Sequence, residues 1–179
     1  MRKELHYQSV PSSSKEENRE LIIRLLLIFF ILFAQSRAEA QISVHTFEAV
    51  DSLQSLAPRP IMVFIETDWC RYCKKMEHTT FKSTAVMDLL EEQFYFVVLN
   101  GEEQRTIRFS GYDFNYKPNG VNTGIHELAE ALGTINGQVA YPSTCILNEQ
   151  YEIVFQYQHF LSAKEMEAVL RAVLERRDP

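Results

Sequence analysis

One short stretch leaves few folds open to this chain: an apolar run at residues 61–65 is followed, five residues later, by Cys70 and Cys73. The run reads Ile-Met-Val-Phe-Ile without polar alternation, which indicates a β-strand buried on both faces. The cysteine pair lies beyond a turn and is typical of the start of a helix. A strand buried on both faces needs a layer above it and a layer below it. The sequence therefore predicts an α/β fold with a central mixed β-sheet flanked by helices.

The rest of the chain supplies further strands and helices in alternation. Apolar runs of strand length alternate with segments whose apolar residues lie three or four apart. They predict a short strand start at 44–47, strands at 95–99, 144–147 and 153–157, and helices at 47–56, 83–94, 125–132 and 162–174. The last helix begins with a capping box formed by Ser162 and Glu165. A turn joins the last two strands, so we expect them to pair antiparallel.

Residues 101–123 interrupt this alternation, and we expect them to form an insert. The segment is polar and aromatic, with turn signals at several glycines and at Pro118. Two runs, 106–109 and 112–116, predict a hairpin that turns at residues 110 and 111. The aromatic residues of the insert fit two roles, packing against the domain or forming a lip for client proteins; they are Phe109, Tyr112, Phe114 and Tyr116.

Residues 1–40 have the pattern of a secretory signal peptide. Their uninterrupted apolar part, 25–34, is ten residues long, whereas a membrane-spanning helix needs about 20. Ala38 and Ala40 are small residues at the positions that a signal peptidase requires, which predicts Gln41 as the mature N-terminus. We therefore expect one exported domain at 41–179, in the periplasm or cell envelope, or tethered to a membrane if the leader is not cleaved. The basic residues before the apolar part are Arg2, Lys3, Lys15, Arg19 and Arg24.

The chain beyond this leader carries an excess of negative charge. Residues 1–40 hold six of the 18 Lys and Arg and five of the 24 Asp and Glu, so residues 41–179 hold 12 and 19 and a formal charge of −7. Such a surface repels phosphate backbones and anionic membranes. We therefore expect no nucleic-acid partner, and membrane association only through an uncleaved leader.

The spacing of Cys70 and Cys73 at the opening of a helix suits thiol–disulfide exchange. Unpaired N–H groups and the partial positive charge of a helix N-terminus stabilise a thiolate. They can lower a thiol pKa from about 8.5 to about 3.5–7.5. Cys70 is therefore the expected nucleophile, and Cys73 resolves the mixed disulfide that Cys70 forms. Arg71, Lys74 and Lys75 add positive charge nearby.

A wider pattern surrounds the two cysteines. Residues 63–77 read V-F-I-E-T-D-W-C-R-Y-C-K-K-M-E, and Y-P-S-T follows at 141–144. Through the tryptophan before the first cysteine, the lysine after the second and the later proline, the chain resembles the thioredoxin superfamily over residues 43–175. Residues 68–81, D-W-C-x-x-C-K-x-x-E-x-x-T-F, are similar to the periplasmic thioredoxin-like domain of the disulfide reductase DsbD and its relatives. The resemblance implies a thioredoxin-like fold with the insert placed before the cis-proline.

The same resemblance implies roles for individual residues. Pro142 would be the cis-proline that faces the active-site sulfurs, and Tyr141 would hydrogen-bond an incoming peptide through its backbone. Trp69 would line the substrate surface, where tryptophan is enriched. Cys70 and Cys73 would form a redox-active disulfide. The implied activity is that of a thiol–disulfide oxidoreductase in cell redox homeostasis, without cofactor or metal. Its clients would be protein thiols and disulfides, and its upstream redox partner is not identified by the sequence.

The chain departs from the family at the residue that handles protons. Thioredoxins usually carry a buried Asp six residues before the first cysteine, where this chain has Phe64. Glu77 lies about two helical turns after Cys70, on nearly the same face of the helix, and it matches an acidic residue of the DsbD-like domains. Glu77 is therefore the expected proton carrier, with Glu66 as the weaker substitute. An ordinary solvent-facing role for Glu77 stays open.

Other interpretations of these residues also stay open. A Cys-x-x-Cys pair can be half of a zinc site, although the histidines of the chain show no paired spacing. In an exported protein it can be an inert structural disulfide. A redox-silent thioredoxin-fold module that binds or chaperones partners is the alternative function. Cys145 alternates within a predicted core strand and is expected to be an unreactive buried thiol, and His126 is expected to lie on a helix surface or to cap a helix.

Overall fold

The structure is a computed structural model that describes residues 18, 19, 21–26 and 42–176. Contacts divide the chain into two units, Met1–Glu39 and Ala40–Pro179. In the first unit the described residues are helical and exposed. None of the helices that the structure describes has both the length and the hydropathy needed to cross a bilayer.

Most of the predicted leader lies outside the described residues. Of the apolar part at 25–34, the structure describes only Leu25 and Leu26, and both are exposed. The predicted cleavage site at 38–40 and the predicted mature N-terminus at Gln41 are not among the described residues. Signal-peptide function therefore stays a prediction.

The second unit contains the elements that position the candidate site. In chain order they are β1 (Val44–His45), α1 (Phe47–Gln54), β2 (Ile61–Glu66), α2 (Arg71–His78), a 3₁₀ turn (Thr80–Lys82), α3 (Thr84–Gln93), β3 (Tyr95–Asn100), β4 (Ile107–Phe109), β5 (Tyr112–Phe114), β6 (Tyr116–Gly120), β7 (Thr123–His126), α4 (Glu127–Gly133), β8 (Thr134–Ile135), β9 (Gln138–Val139), β10 (Ser143–Leu147), β11 (Ile153–Gln158) and α5 (Ala163–Glu175).

A five-stranded mixed sheet forms the centre of this unit, which confirms the predicted architecture. Its strand order is β1-β3-β2-β10-β11. Strands β1, β3 and β2 run parallel, and β10 pairs antiparallel with both β2 and β11. Every residue of β2 is buried, as its uninterrupted apolar run predicted.

The two faces of β2 contribute to two different apolar cores. Alternate residues of a strand point to opposite faces of a sheet. Ile61, Val63 and Ile65 pack with α1, α4 and β4 on one side. Met62 and Phe64 pack with α2, α3 and α5 on the other, together with both cysteines. Helices therefore cover both faces of the sheet, and each core contains about half of the buried apolar side chains.

The region at 101–126 differs in part from its prediction. The hairpin of β4 and β5 is confirmed, with Ile107 opposite Phe114 and Phe109 opposite Tyr112. The predicted helix start at Ile125 is wrong: Ile125 pairs with Lys117 in a second hairpin, formed by β6 and β7, and α4 begins at Glu127. The strand β6 was not predicted because Pro118 and the Asn-Gly pair that follows it favour a turn. A strand at the edge of a sheet can nevertheless contain a proline.

The aromatic residues of this region divide between packing and exposure. Phe109 is buried in the core, with its ring 4.8 Å from that of Phe47 and 5.3 Å from that of Tyr151. Phe114 packs against the same core, whereas Tyr112 is exposed. Packing thus accounts for Phe109 and Phe114, and a lip for clients stays a prediction that concerns Tyr112 and the half-buried Tyr116.

Candidate active site

The two cysteines lie where β2 passes into α2. Cys70 is the N-cap of α2, in extended backbone conformation, and its Sγ accepts a hydrogen bond from the backbone N–H of Cys73 at 3.1 Å. The backbone N–H of Cys70 donates to the carbonyl oxygen of Thr67 at 3.0 Å, which fixes the turn before the helix. The sulfur of Cys70 therefore occupies the place that an N-cap oxygen usually takes, where N–H groups point outward without a helical partner.

The sulfurs of Cys70 and Cys73 are joined in a disulfide, with the Sγ atoms 2.06 Å apart. Cys70 retains 4% of its surface and Cys73 retains none. An external thiol therefore reaches Cys70 first. Displacement at Cys70 would leave the negative charge on Cys73, a sulfur enclosed by the apolar core beneath α2.

Tyr141 and Pro142 lie at the start of β10, and the peptide bond between them is cis. Pro142 is buried, and its carbonyl oxygen accepts a hydrogen bond from the backbone N–H of His159 at 2.9 Å. Tyr141 packs against both cores. Burial, and then the carboxylates of Glu102 and Glu130, raise the pKa of the Tyr141 phenol to about 12, so this hydroxyl stays protonated at neutral pH.

Trp69 stands next to Cys70 and leaves 64% of its surface exposed. Its indole Nε1–H donates to Oε1 of Glu102 at 3.1 Å, and its ring meets that of Tyr141 edge-on, with centroids 5.8 Å apart. Tyr141 in turn covers Gly101, because a Cβ atom at residue 101 would clash with the Tyr141 ring. The rings of Trp69 and Tyr141 thus form an aromatic surface next to Cys70, with Gly101 and Glu102 beside it.

Glu102 was missed by the sequence analysis, although a signal for it exists. Strands β2 and β3 are parallel and pair Glu66 with Asn100 at their carboxyl ends. The backbone N–H of Gly101 also donates to the carbonyl oxygen of Glu66 at 2.7 Å. An acidic residue directly after β3 is therefore brought to the same sheet edge as the cysteine motif that follows β2.

His159 was noted in the sequence only as a histidine without paired spacing, and it lies beside Pro142. Its backbone has φ of 115°, a region that side-chain-bearing residues rarely occupy. The next residue, Phe160, has its ring 4.5 Å below the Lys75 ammonium of α2. Residues 159 and 160 thus connect the Pro142 segment with the helix that carries the cysteines.

The predicted proton carriers Glu77 and Glu66 share one lysine. Lys74 Nζ lies 3.0 and 3.3 Å from the two carboxylate oxygens of Glu77 and 3.4 Å from Oε2 of Glu66. The side chain of Glu77 is 35% exposed and that of Glu66 is 10% exposed. Burial raises the pKa of Glu66 above its usual value, against the lowering effect of Lys74. Phe64 is fully buried and packs its ring edge-on against Phe81.

Two further predicted residues have structural roles. Cys145 is a free, fully buried thiol on β10, which confirms its predicted burial. Burial raises its pKa to about 12, and its lack of reactivity stays a prediction. His126 caps α4: its Nδ1 accepts a hydrogen bond from the backbone N–H of Leu128 at 3.2 Å. It is fully buried, so the capping role is confirmed and a position on the helix surface is wrong.

Metal ligation has no geometric basis in the part of the chain that the structure describes. Those residues contain no group of three or more His, Cys, Asp or Glu side chains placed to hold a metal ion. The sulfurs of Cys70 and Cys73 are bonded to each other.

Comparisons with known proteins agree with this arrangement. The family model described as a thioredoxin-like domain matches residues 48–174. No curated protein is similar enough in sequence to match the chain.

Solved structures with a similar fold include a thioredoxin from Thermus thermophilus, with a TM-score of 0.55 and 19% identity over 77% of this chain and 91% of that chain. DsbH oxidoreductase has a TM-score of 0.53 and 13% identity over 79% of this chain and 90% of that chain. The DsbD C-terminal domain from Neisseria meningitidis, in its reduced form, has a TM-score of 0.46 and 16% identity over 70% and 90%. At these identities the likeness to the first two structures concerns the fold, and together with the family model it confirms the predicted thioredoxin-like fold.

Proposed function

Because this chain belongs to the thioredoxin-like domain family, we propose that it is an exported thiol–disulfide oxidoreductase that exchanges disulfides with protein clients through Cys70 and Cys73. The observation that carries the proposal is the disulfide itself, placed at a helix N-terminus with Cys70 at the N-cap and Cys73 fully buried beneath it. A structural disulfide does not need this position. The oxidoreductase among the solved structures of similar fold is consistent with the proposal.

The proposed reaction proceeds by two exchange steps. In the dithiol form the Cys70 thiolate, stabilised by the N–H groups at the start of α2, attacks one sulfur of a client disulfide. The other client sulfur leaves as a thiolate, and a mixed disulfide forms. Cys73 then loses its proton and attacks Cys70 Sγ, which releases the second client thiolate and closes the disulfide. Two electrons pass to the client, and a dithiol donor restores the reduced form; the reverse sequence oxidises a client dithiol.

Three residues are proposed to bind the client beside Cys70. The exposed ring of Trp69 and the ring of Tyr141 offer an apolar surface, and Pro142 and the backbone of Tyr141 lie at the start of β10, where a client peptide can pair with the chain. Glu77 is proposed to carry protons for the exchange. Its support is its carboxylate at 3.0 Å from Lys74, the residue that follows Cys73.

Export is the second part of the proposal, and the composition of residues 1–40 supports it. An exported redox protein operates where client disulfides persist, in the periplasm or the cell envelope. Expression of the full chain in a bacterial host and N-terminal sequencing of the released protein test this part. Gln41 is the expected first residue. A protein that stays inside the cell with its leader intact would contradict export without touching the exchange chemistry.

Reduction of a protein disulfide tests the activity directly. With insulin as the client and dithiothreitol as the donor, the wild-type chain should accelerate reduction and Cys70→Ser should abolish the acceleration. Cys73→Ser, reduced and then freed of dithiothreitol, should trap a mixed disulfide between Cys70 and the client, because the resolving sulfur is absent.

Cys145→Ser is the matched control, since it removes a buried thiol that takes no part. Wild type as inactive as Cys70→Ser toward several protein disulfides, with client binding retained, would favour the redox-silent binding module instead. Trapped clients on Cys145 would overturn the assignment of the nucleophile.

A further inference from the structure

The surface beside Cys70 joins an exposed indole to a carboxylate. Trp69 is largely exposed, and its Nε1–H donates to Oε1 of the half-buried Glu102 at 3.1 Å. A carboxylate that accepts this bond polarises the ring toward negative charge. Among aromatic side chains, tryptophan also attracts a cation to its face most strongly. The chemistry of this pair therefore suits a positively charged group.

The charge of Glu102 is not compensated within the part of the chain that the structure describes. The neighbouring carboxylate of Glu103 is paired with Arg105, and that of Glu130 is paired with Lys117. The side chain of Glu102, by contrast, makes its one hydrogen bond to the indole and no ion pair among the described residues. Its second oxygen, Oε2, has no such partner and is not enclosed. An acceptor with a negative charge is thus available to a bound molecule.

The ring of Trp69 is equally available. The cation–π contacts among the described residues lie over Tyr95 and Phe160, so no lysine or arginine of this part of the chain covers the indole. The T-shaped contact with Tyr141, with centroids 5.8 Å apart, can cover at most one face of the ring. At least one face is therefore open to a cation from outside.

The negative potential of this surface reaches beyond Glu102. Burial, and then the carboxylates of Glu102 and Glu130, raise the pKa of the Tyr141 phenol to about 12. Asp68, the residue before the tryptophan, is exposed and adds a further negative charge. The opposing charge is that of the exposed Arg71, which begins α2. A client cation is therefore favoured on the side of Glu102 and disfavoured on the side of the helix.

We propose that Trp69 and Glu102 form a subsite for one basic side chain of the client, an arginine or lysine next to the cysteine that Cys70 attacks. Its cationic group lies on the open face of the indole and donates to Oε2 of Glu102. The proposal rests on the proposed exchange function and names a class of client for it. The exchange steps are unchanged, and the subsite holds the residue beside the client disulfide. An acidic residue at the same place is repelled.

The test compares two short peptides, each with one internal disulfide, that differ at the residue beside the first cysteine. One carries arginine there and the other carries citrulline, which has the same shape without the charge. The full chain is reduced and freed of reductant, and fluorescence of Trp69, the only tryptophan, follows single turnovers. Each rate is divided by the rate of the same peptide with dithiothreitol, which removes the effect of the charge on the peptide's own reactivity.

The wild type should prefer the arginine peptide by about five- to tenfold, because an exposed cation–π contact and an exposed ion pair each contribute up to about fivefold. The preference should fall as salt is added, since salt screens exposed charges.

Three variants assign this preference to the subsite. Glu102→Gln keeps an acceptor for the indole and removes only the charge, so the preference should fall to about twofold. Trp69→Leu keeps an apolar side chain without the ring and should lower the preference as well, with rates read by chromatography of acid-quenched samples. Glu91→Gln is the matched control, because it removes the same charge near the amino end of β3, whereas Glu102 follows the carboxyl end. It should keep the full preference.

Binding without exchange separates the subsite from the exchange function. Peptides with serine in place of both cysteines cannot react with the oxidised chain, and titration of Trp69 fluorescence should show the same preference in Kd. Tighter binding of the arginine peptide that depends on Glu102, in a chain that exchanges neither disulfide peptide, contradicts the exchange function and keeps the subsite. Exchange at equal normalised rates, or a preference that Glu102→Gln retains in full, overturns the subsite and leaves the exchange function standing. No preference in either measurement overturns the subsite whether or not the chain exchanges disulfides.

Discussion

At the scale of single residues, the indole of Trp69 has most of its surface in solvent, and two contacts restrain it. One is the hydrogen bond to Glu102 and the other is the edge contact with Tyr141. An exposed ring that is held in one orientation loses less conformational entropy when a client binds to it. Under the proposed function, we therefore expect the carboxylate of Glu102 to contribute to client affinity through Trp69.

Glu102→Ala should release the indole and weaken client binding. We expect the KM for a protein disulfide to rise about two- to fivefold, the equivalent of about 0.5–1 kcal/mol for one hydrogen bond, and the fluorescence anisotropy of Trp69 to fall. Steady-state kinetics and anisotropy measure the two effects. Glu102→Gln is the matched control, because its amide oxygen still accepts from the indole. Equal anisotropy in the wild type and Glu102→Ala would show that Tyr141 alone restrains the ring.

His159 has a different kind of constraint, in its backbone. A φ of 115° costs a residue with a side chain about 1–3 kcal/mol, and the fold tolerates it beside Pro142. Strain of this kind clusters at binding and active sites. His159 thus combines this backbone conformation with a backbone hydrogen bond to the carbonyl oxygen of Pro142.

Comparison of His159→Ala with His159→Gly isolates this strain. Both variants remove the ring, but only glycine adopts this φ freely. At most positions glycine is less stable than alanine by about 0.5–1 kcal/mol; here we expect glycine to be the more stable by about 1 kcal/mol. Urea unfolding of the oxidised proteins measures the difference. If alanine is the more stable of the two, the backbone at residue 159 is not strained.

At the scale of elements, the local sequence predicted β2 and the start of α2, whereas it did not predict β6 and β7. The all-apolar run of β2 can be recognised without knowledge of its neighbours, and so can the cysteine pair at its end. The strand of Tyr116–Gly120 contains Pro118 and an Asn-Gly pair, which favour a turn locally. Its pairing with β7 depends on contacts that the local sequence does not encode.

The residues of the candidate site likewise divide into those that the local sequence predicted and those that are brought together only by strand pairing. Cys70, Cys73 and Trp69 stand in one motif, and Pro142 was implied by a resemblance to a family. Glu102 joins Trp69 only because β2 and β3 pair in register. His159 reaches Pro142 only because β10 and β11 pair antiparallel. Contacts that arise from strand register need the topology first, and therefore they were not predicted.

Helix α4 begins at a histidine cap that the structure makes testable. His126 accepts from the backbone N–H of Leu128 through Nδ1, so its Nε2 carries the proton toward the carbonyl oxygen of Arg105 at 3.2 Å. His126→Ala leaves both backbone groups without this partner and should cost about 1–3 kcal/mol of the free energy of unfolding. His126→Asn keeps a good cap acceptor and should lose less. Denaturant unfolding measures both, and equal losses would contradict the cap.

At the scale of the whole domain, strand directions bring four chain segments to one edge of the sheet. Strands β2 and β3 are parallel and both end there. Antiparallel β10 begins there with Pro142 before it, and β11 ends there with His159 directly after it. The motif after β2, Glu102 after β3 and these two residues thus converge although they are far apart in sequence. Function on such loops is supported by a rigid sheet below.

The buried carboxyl group of Glu66 at this edge links the stability of the domain to pH. Its folded-state pKa is raised from the usual 4.5, so the folded protein binds more protons at Glu66 than the unfolded chain between pH 4.5 and that raised pKa. As the pH rises across this window, the unfolding free energy of the wild type should therefore fall relative to that of Glu66→Gln, whose side chain does not titrate. The difference in unfolding free energy, Glu66→Gln minus wild type, should rise with pH and then reach a plateau.

Glu91 supplies a control of opposite sign. Its carboxylate accepts from the backbone N–H and the hydroxyl of Ser43, each at 2.8 Å, and these bonds lower its pKa. Its contribution is present above pH 4.5 and is lost as the pH falls through the lowered pKa. Urea unfolding of the oxidised proteins at a series of pH values should show Glu66→Gln gaining on the wild type as pH rises, and Glu91→Gln gaining as pH falls. A flat or falling difference for Glu66→Gln would mean that the buried carboxylate is stabilised by Lys74 as fully as it is by water in the unfolded chain.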